Sequence, residues 1–390
     1  MSTCGERPGQ TPVNFTQVFS HHAACFVFAV LACLLSVGCR GSSTQQQSSP
    51  PPMFTNFDAP GAGTTAPQGT FALDVNANGA VVGYFIDATT TVHAFVRDNS
   101  GDVTTFDGPE ARTQMFLGTE AVAINGSGTI VGFFVDQSNV EHSFLRATDG
   151  TLSVSDPPDS VFSAATCIND AGTVIGDFRF SFGSALAYIR SNTGTFGEFV
   201  VPEGQLSLEP LPEQINAAGT IVGRFFDTTG LSHGFLQDAT GMQTILDAPG
   251  AGSALGDGTT ALDVNGPGVV VGFIHNGSAD GLGIIHSFMR AADGTYTVFD
   301  PPQAGPNGSL ADGVNDSGAI VGIYTDVNLV RHGYLRQPDG TFVSLDDPDA
   351  AQLPTTSVSL GTAPRRINNS GTIVGLFTDP GGVRDSFVWQ

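Results

Sequence analysis

The chain has 390 residues, and its 37 acidic residues outnumber the 14 basic ones. The resulting net charge of −23 makes nucleic acid and anionic lipid headgroups poor partners, since both are bound mainly through Lys and Arg. There is no lysine at all, which removes Schiff-base chemistry and the P-loop lysine.

Four of the five cysteines (Cys4, Cys25, Cys33, Cys39) fall in the first 39 residues, so the body, with Cys167 alone, has no disulfide framework. Residues 23–38, "AACFVFAVLACLLSVG", form an uncharged apolar run too short for a comfortable membrane span, and "RGSSTQQQSSPPP" follows Cys39 as a flexible linker. Residues 1–38 read as an export signal and 39–52 as the linker. "LSVGC" resembles a bacterial lipoprotein signal, which would make Cys39 the lipidated N-terminus and a membrane tether. Ser36 stands where Leu is usual, however, and Arg7 is offset by Glu6. Ordinary cleavage after Gly38 and a retained anchor stay open.

From residue 53 onward one unit repeats. Seven Asn-x-x-Gly blocks, among them "VNANGAVVG", "INGSGTIVG" and "INNSGTIVG", start at Asn76, Asn125, Asn169, Asn216, Asn265, Asn315 and Asn368. Their spacing of 44 to 53 residues is that of propellers and solenoids. Seventeen residues after most of these asparagines comes His-x-aromatic (His93, His142, His233, His332; His286 is four later), and "FD" or a relative follows with Pro two places on. Fifty glycines and 29 phenylalanines with little charge also fit short strands and tight turns. Each unit therefore reads as four strands, in unit one 71–75, 80–86, 92–97 and 103–106. Asn-x-x-Gly makes the first hairpin, with Gly in the left-handed conformation. A second glycine falls in mid-strand seven residues after every Asn (Gly83 to Gly375), where the aromatic of His-x-aromatic is the expected close neighbour.

The expected fold is all-β: a seven-bladed β-propeller over residues 53–390, with four antiparallel strands per blade. The last unit ends at "SFVWQ", one strand short, and "MFTNFDAP" at 53–60 supplies that strand, closing the ring from the N-terminal side. An open β-solenoid is the alternative. "HAF" at 93–95 and the "IN-x-x-G-x-IVG" blocks resemble the HAF-type extracellular repeat family over residues 53–390. The resemblance implies export and a repetitive fold, with no assigned reaction. Unit three departs most from the pattern, having Leu186 for His and Val200 for the terminal Asp.

The repeated polar residues read as structural. The histidines lie too far apart from blade to blade to share a metal, and a hydrogen bond within each blade is expected of them. "DVNANG" starts like a calcium loop, but Phe85 stands where the bidentate Glu belongs. The Asp of "FDAP", "FDGP" and "LDDP" is expected to serve turns. Neither metal nor cofactor is expected. Function is sought instead in the variable loops of one face, whose unusual polar residues are Arg112, Glu120, Glu203, Glu209, Glu213, His275, Asp280, Arg365 and Arg366. The leading expectation is an exported, monomeric, non-catalytic module that binds a protein or glycan ligand there. A polysaccharide lyase or glycoside hydrolase using loop carboxylates, and a structural or adhesive surface module, are the alternatives.

Overall fold

The computed structural model describes residues 53–390 except 114–115, 182–184, 200–207, 278–282 and 353–359. The signal and linker assignments, Cys39, Glu203 and Asp280 lie outside the described residues. All regular structure is β. Strand β1 (Phe54–Phe57) precedes unit one, which consists of β2 (Gly69–Val75), β3 (Val81–Ile86), β4 (Val92–Arg97) and β5 (Val103–Phe106). Five further four-stranded antiparallel units follow, and unit seven has three strands of its own, Gly361–Ile367, Ile373–Thr378 and Arg384–Trp389. Its fourth is β1, which pairs antiparallel with the last strand in the register Phe54↔Trp389 to Phe57↔Ser386.

Local chemistry explains the strands. Every Asn-x-x-Gly hairpin is closed by a glycine in the left-handed region, as at Gly79 (φ 80°) and Gly371 (φ 87°), where a β-branched residue would be strained. The mid-strand glycines answer to crowding: a Cβ on Gly132 would press into the Glu120 carbonyl and come within 3.0 Å of Phe144 Cζ. Tyr188, Phe235, Tyr334 and Phe387 crowd their partner glycines in the same way. Opposite each of these glycines the first strand slips register by one residue, between Ala72 and Asp74 in β2 and between Pro364 and Arg366 in unit seven. Such a bulge re-aims side chains.

The core lies between units as much as within them. Val82 and Ala94 of unit one pack with Ile124, Ile130, Phe134 and Phe144 of unit two, and Val374 and Val388 of unit seven pack with Ala72, Val81 and Phe95 of unit one. Each fully buried large side chain contributes about 1.5–3 kcal/mol, so no unit is stable without its neighbours.

The seven repeated asparagines have a second role that the sequence does not announce. The Asn76 Oδ1 accepts from the Asn78 and Ala80 amides of its own hairpin, while its Nδ2 donates to the Asn125 carbonyl of the next unit at 3.1 Å. The same inter-unit bond runs from Asn125 to Asn169, then to Asn216, Asn265, Asn315 and Asn368. Asn368 Nδ2 donates back to the Asn76 carbonyl at 2.9 Å. On the other face, single parallel bridges tie third strands to the next first strands at Gly69, Gly118, Gly258, Gly308 and Gly361. All five have positive φ, and a Cβ on any of them would collide with the neighbouring carbonyl.

Candidate functional site

The repeated histidines start the third strands, and four of them, His93, His142, His233 and His332, are held between two carboxylates each. His142 Nδ1 lies 2.7 Å from Asp156 Oδ2, and its Nε2 lies 3.6 Å from Asp136 Oδ2. His93, His233 and His332 are held alike, and His286 Nδ1 lies 2.6 Å from Asp300. These are the hydrogen bonds within units expected from the sequence. The "FD" aspartates, expected to serve turns, are thus the partners of the histidines: Asp107, Asp247, Asp300 and Asp346 each bond one. Unit seven has Asp385 at the histidine position, facing Asp58 and Asp379. Burial, and then the Asp58 carboxylate, push its carboxyl up to about 7. Among the described residues no group of three or more His, Cys, Asp or Glu is placed to hold a metal.

The bulges bring a different set of residues together. A cavity of about 320 Å³ is lined there by Asp74, Thr166, Glu213, Asp312, Arg365 and Arg366, together with apolar neighbours. Arg366 closes one side. Its Nη1 donates to the carbonyls of Asp312 (2.9 Å) and Arg365 (3.2 Å), and Asp263 and Asp74 hold it charged. Those two aspartates also accept the amides of the next unit, Val314 at 2.8 Å and Ile124 at 2.9 Å. Arg366 is thus committed to the frame.

The remaining groups are less satisfied. Asp312 is buried, its Oδ2 has no hydrogen-bond partner, and Arg365 Nη1 stands 3.8 Å from its Oδ1. Burial raises the proton affinities of Asp312 and of Glu213, although Arg224 approaches Glu213 at 3.9 Å. Outside this cavity further partly buried charges of both signs lie near one another. Burial pushes Glu120 up to about 7. It does the same to Glu141, with help from the Asp177 and Glu120 charges. Arg331, Arg365 and Arg384 lie on units six and seven. Tyr84, stacked on Phe71 at 4.5 Å, feels Glu120 from one side and Arg384 and Arg365 from the other.

The structure redistributes the residues singled out in the sequence. Arg112 is a loop residue that bonds Asn139. Glu120, Glu209, Glu213, His275, Arg365 and Arg366 are not in loops but on strands, which corrects that part of the expectation. The stretch before each repeated Asn contains the whole first strand, whose alternation is hidden by a bulge, prolines and charges. Glu213, Arg365 and Arg366 do come together at the cavity, and Glu120 acts on Tyr84 together with Arg365. His275 does not join them: its Nδ1 meets the Gly256 carbonyl at 2.9 Å, with Asp257 beyond at 3.7 Å. Glu141, Asp177, Arg331 and Arg384 were missed. A readable signal existed for Glu141, Arg331 and Arg384, which stand just before the His-x-aromatic position, where other units have Val92, Ala185, Ser232 and Ile285.

Comparison with known proteins identifies the fold. The chain is similar to the β-propeller domain of the Trilobed protease from Pyrococcus furiosus (TM-score 0.52, 9% identity, 82% of this chain and 95% of that one). It is also similar to a prolyl endopeptidase (TM-score 0.51, 12% identity, 81% of this chain and 47% of that one). More distant is TolB from Agrobacterium tumefaciens (TM-score 0.43, 14% identity, 71% and 92%). No family model matches the chain. No curated protein matches it either. The chain is an all-β protein of the propeller kind.

Proposed function

We propose that this chain is an exported, seven-bladed β-propeller of the HAF-type extracellular repeat kind, closed by β1 and acting as a binding module without catalysis. Its ligand, a glycan or a protein, sits at the axial end of the histidine face. Closure is supported by the β1 register and by the asparagine bond that returns to Asn76. Export and a tether at Cys39 rest on the leader alone.

One observation carries the reading. Residues that repeat are consumed in hairpins, inter-unit bonds and histidine–aspartate pairs, whereas charged residues that do not repeat (Glu120, Glu141, Arg331, Arg384) gather where the units converge. A frame that repeats and a lining that does not is how a symmetric scaffold acquires an asymmetric site. The test is a glycan and peptide array probed with the full chain and with a Glu120→Gln/Arg384→Gln double variant. Selective binding by the parent, lost in a variant of unchanged Tm, is expected. Binding undiminished in the variant would move the site elsewhere. The hydrolase alternative is favoured by one observation, that Glu120 and Glu141 are both pushed up to about 7, as a general acid requires. Release of reducing ends from a bound glycan, abolished by Glu141→Gln, would select it.

A further inference from the structure

In a chain this acidic, three neighbouring arginines that share a single carboxylate, Asp312, call for a cause. Most of the 14 arginines are otherwise engaged. Arg97, Arg146, Arg290 and Arg336 lie over aromatic rings near the outer hairpins, Arg224 approaches Glu213, and Arg366 is held among Asp74, Asp263 and the Asp312 carbonyl. Arg331 starts the third strand of unit six, bridges Gly361, and forms neither a side-chain hydrogen bond nor a salt bridge among the described residues. Arg384 starts the last strand, bridges Gly69, and has only the face of Phe71 beneath it at 5.4 Å. Arg365 projects from the bulge between them, with Nε unpartnered and a single carboxylate oxygen no nearer than 3.8 Å. All three are partly buried, so water does not fully screen them from one another. Burial and the charges of Arg365 and Arg384 push Arg331 down to about 10, and Arg384 is lowered by burial and by Arg365.

The arrangement therefore costs repulsion and desolvation that Asp312 and the Phe71 face offset only in part. We infer that Arg331, Arg365 and Arg384 form an anion subsite that takes the carboxylate of a hydroxyl-rich ligand, a uronate unit of an acidic glycan. Guanidinium groups grip a carboxylate through paired N–H donors, and that geometry needs no opposing protein carboxylate. Two features favour a carboxylate over a phosphate or sulfate dianion. Asp312 and Glu213 line the cavity that Arg365 also lines, and Glu120 acts on Tyr84 together with Arg384 and Arg365, so a second negative charge would be repelled. Those same carboxyls, with Tyr84, supply hydrogen-bonding partners for sugar hydroxyls beside an aromatic face. This deepens the proposed function and rests on the same face being the binding surface.

The probes are oligogalacturonate, a neutral galactan oligomer of equal length, inorganic phosphate and sulfate, titrated calorimetrically into the full chain at low and moderate salt. Oligogalacturonate is expected to bind and to weaken with salt, and the neutral oligomer to bind at least tenfold more weakly. Arg331→Gln and Arg384→Gln should each cost about tenfold in affinity without lowering Tm. Arg336→Gln, which removes a charge over Phe299, should cost nothing. Uronate binding indifferent to Arg331→Gln and Arg384→Gln overturns the subsite, and phosphate or sulfate binding more tightly than uronate overturns the ligand class. Neutral-glycan binding that fails in Glu120→Gln but survives Arg331→Gln leaves the face standing and removes the subsite. Uronate binding lost in Arg331→Gln but unchanged in Glu120→Gln retains the subsite and removes the wider site.

Discussion

Replacing Asn368 by Asp tests whether the two ends of the chain are joined. The Asn368 side chain is 7% exposed; its Oδ1 accepts the amides of Ser370 (3.0 Å) and Thr372 (2.9 Å), and its Nδ2 donates to the Asn76 carbonyl (2.9 Å). Aspartate keeps the shape and both acceptances within the hairpin. It loses only the donor and sets a carboxylate against a buried carbonyl. A lost hydrogen bond of about 1 kcal/mol plus an unsatisfied buried acceptor at about 1–3 kcal/mol suggests a loss of roughly 2–3 kcal/mol. For a unit of this size each kcal/mol lowers Tm by about 2 °C, so calorimetry at neutral pH should show a fall of about 4–6 °C. Asn125→Asp breaks the equivalent bond to Asn169 in the middle of the chain, at 3.2 Å, and should cost the same within about 1 kcal/mol. A fall of several degrees for Asn125→Asp with almost none for Asn368→Asp would refute closure, because the bond between the ends would then carry no load.

Gly132→Ala should cost roughly 3 kcal/mol or more, since its Cβ would press into the Glu120 carbonyl beside Phe144. Gly241→Ala, at φ +87° with nothing within 4 Å, should lose only about 1 kcal/mol, and urea titration of the two compares crowding with backbone preference. Asp385 makes stability depend on pH. Its carboxyl is raised to about 7, above its value in the unfolded chain, so the native state holds the proton more tightly. Its contribution is then full below about pH 4 and is lost as the pH rises through 7. Because the group is partly exposed, screening reduces the effect to about 1 kcal/mol, and Asp385→Asn should remove that decline between pH 5 and pH 8.

Most of the frame was legible because it is repeated and local. Glycine at hairpin and mid-strand positions, the turn asparagine and the spacing to His-x-aromatic each impose a backbone demand that one sequence reveals seven times. The pairing of β1 with the last strand was legible because one unit lacked a strand and the chain start supplied it. The site was less so. "PEQIN" and "PRRIN" carry charge and proline where an inner strand should alternate, and only the bulge explains why Glu213, Arg365 and Arg366 can sit on strands that face an axis. The second bond of each asparagine reaches a carbonyl a whole unit away, and no local pattern encodes such a contact.

The joints between units are not equal. Five carry a backbone bridge at a glycine, whereas Phe162 and Glu209 occupy that position in units three and four, and no such bridge joins unit three to either neighbour among the described residues. Unit three is held instead by its asparagine links, by side-chain packing and by side-chain hydrogen bonds, Ser163 and Tyr188 to unit two and Thr166 to the Pro212 carbonyl of unit four. The joints thus differ in kind: most are stitched backbone to backbone at a glycine, whereas those flanking unit three depend on side chains, so side-chain substitutions should loosen these two joints more than the others.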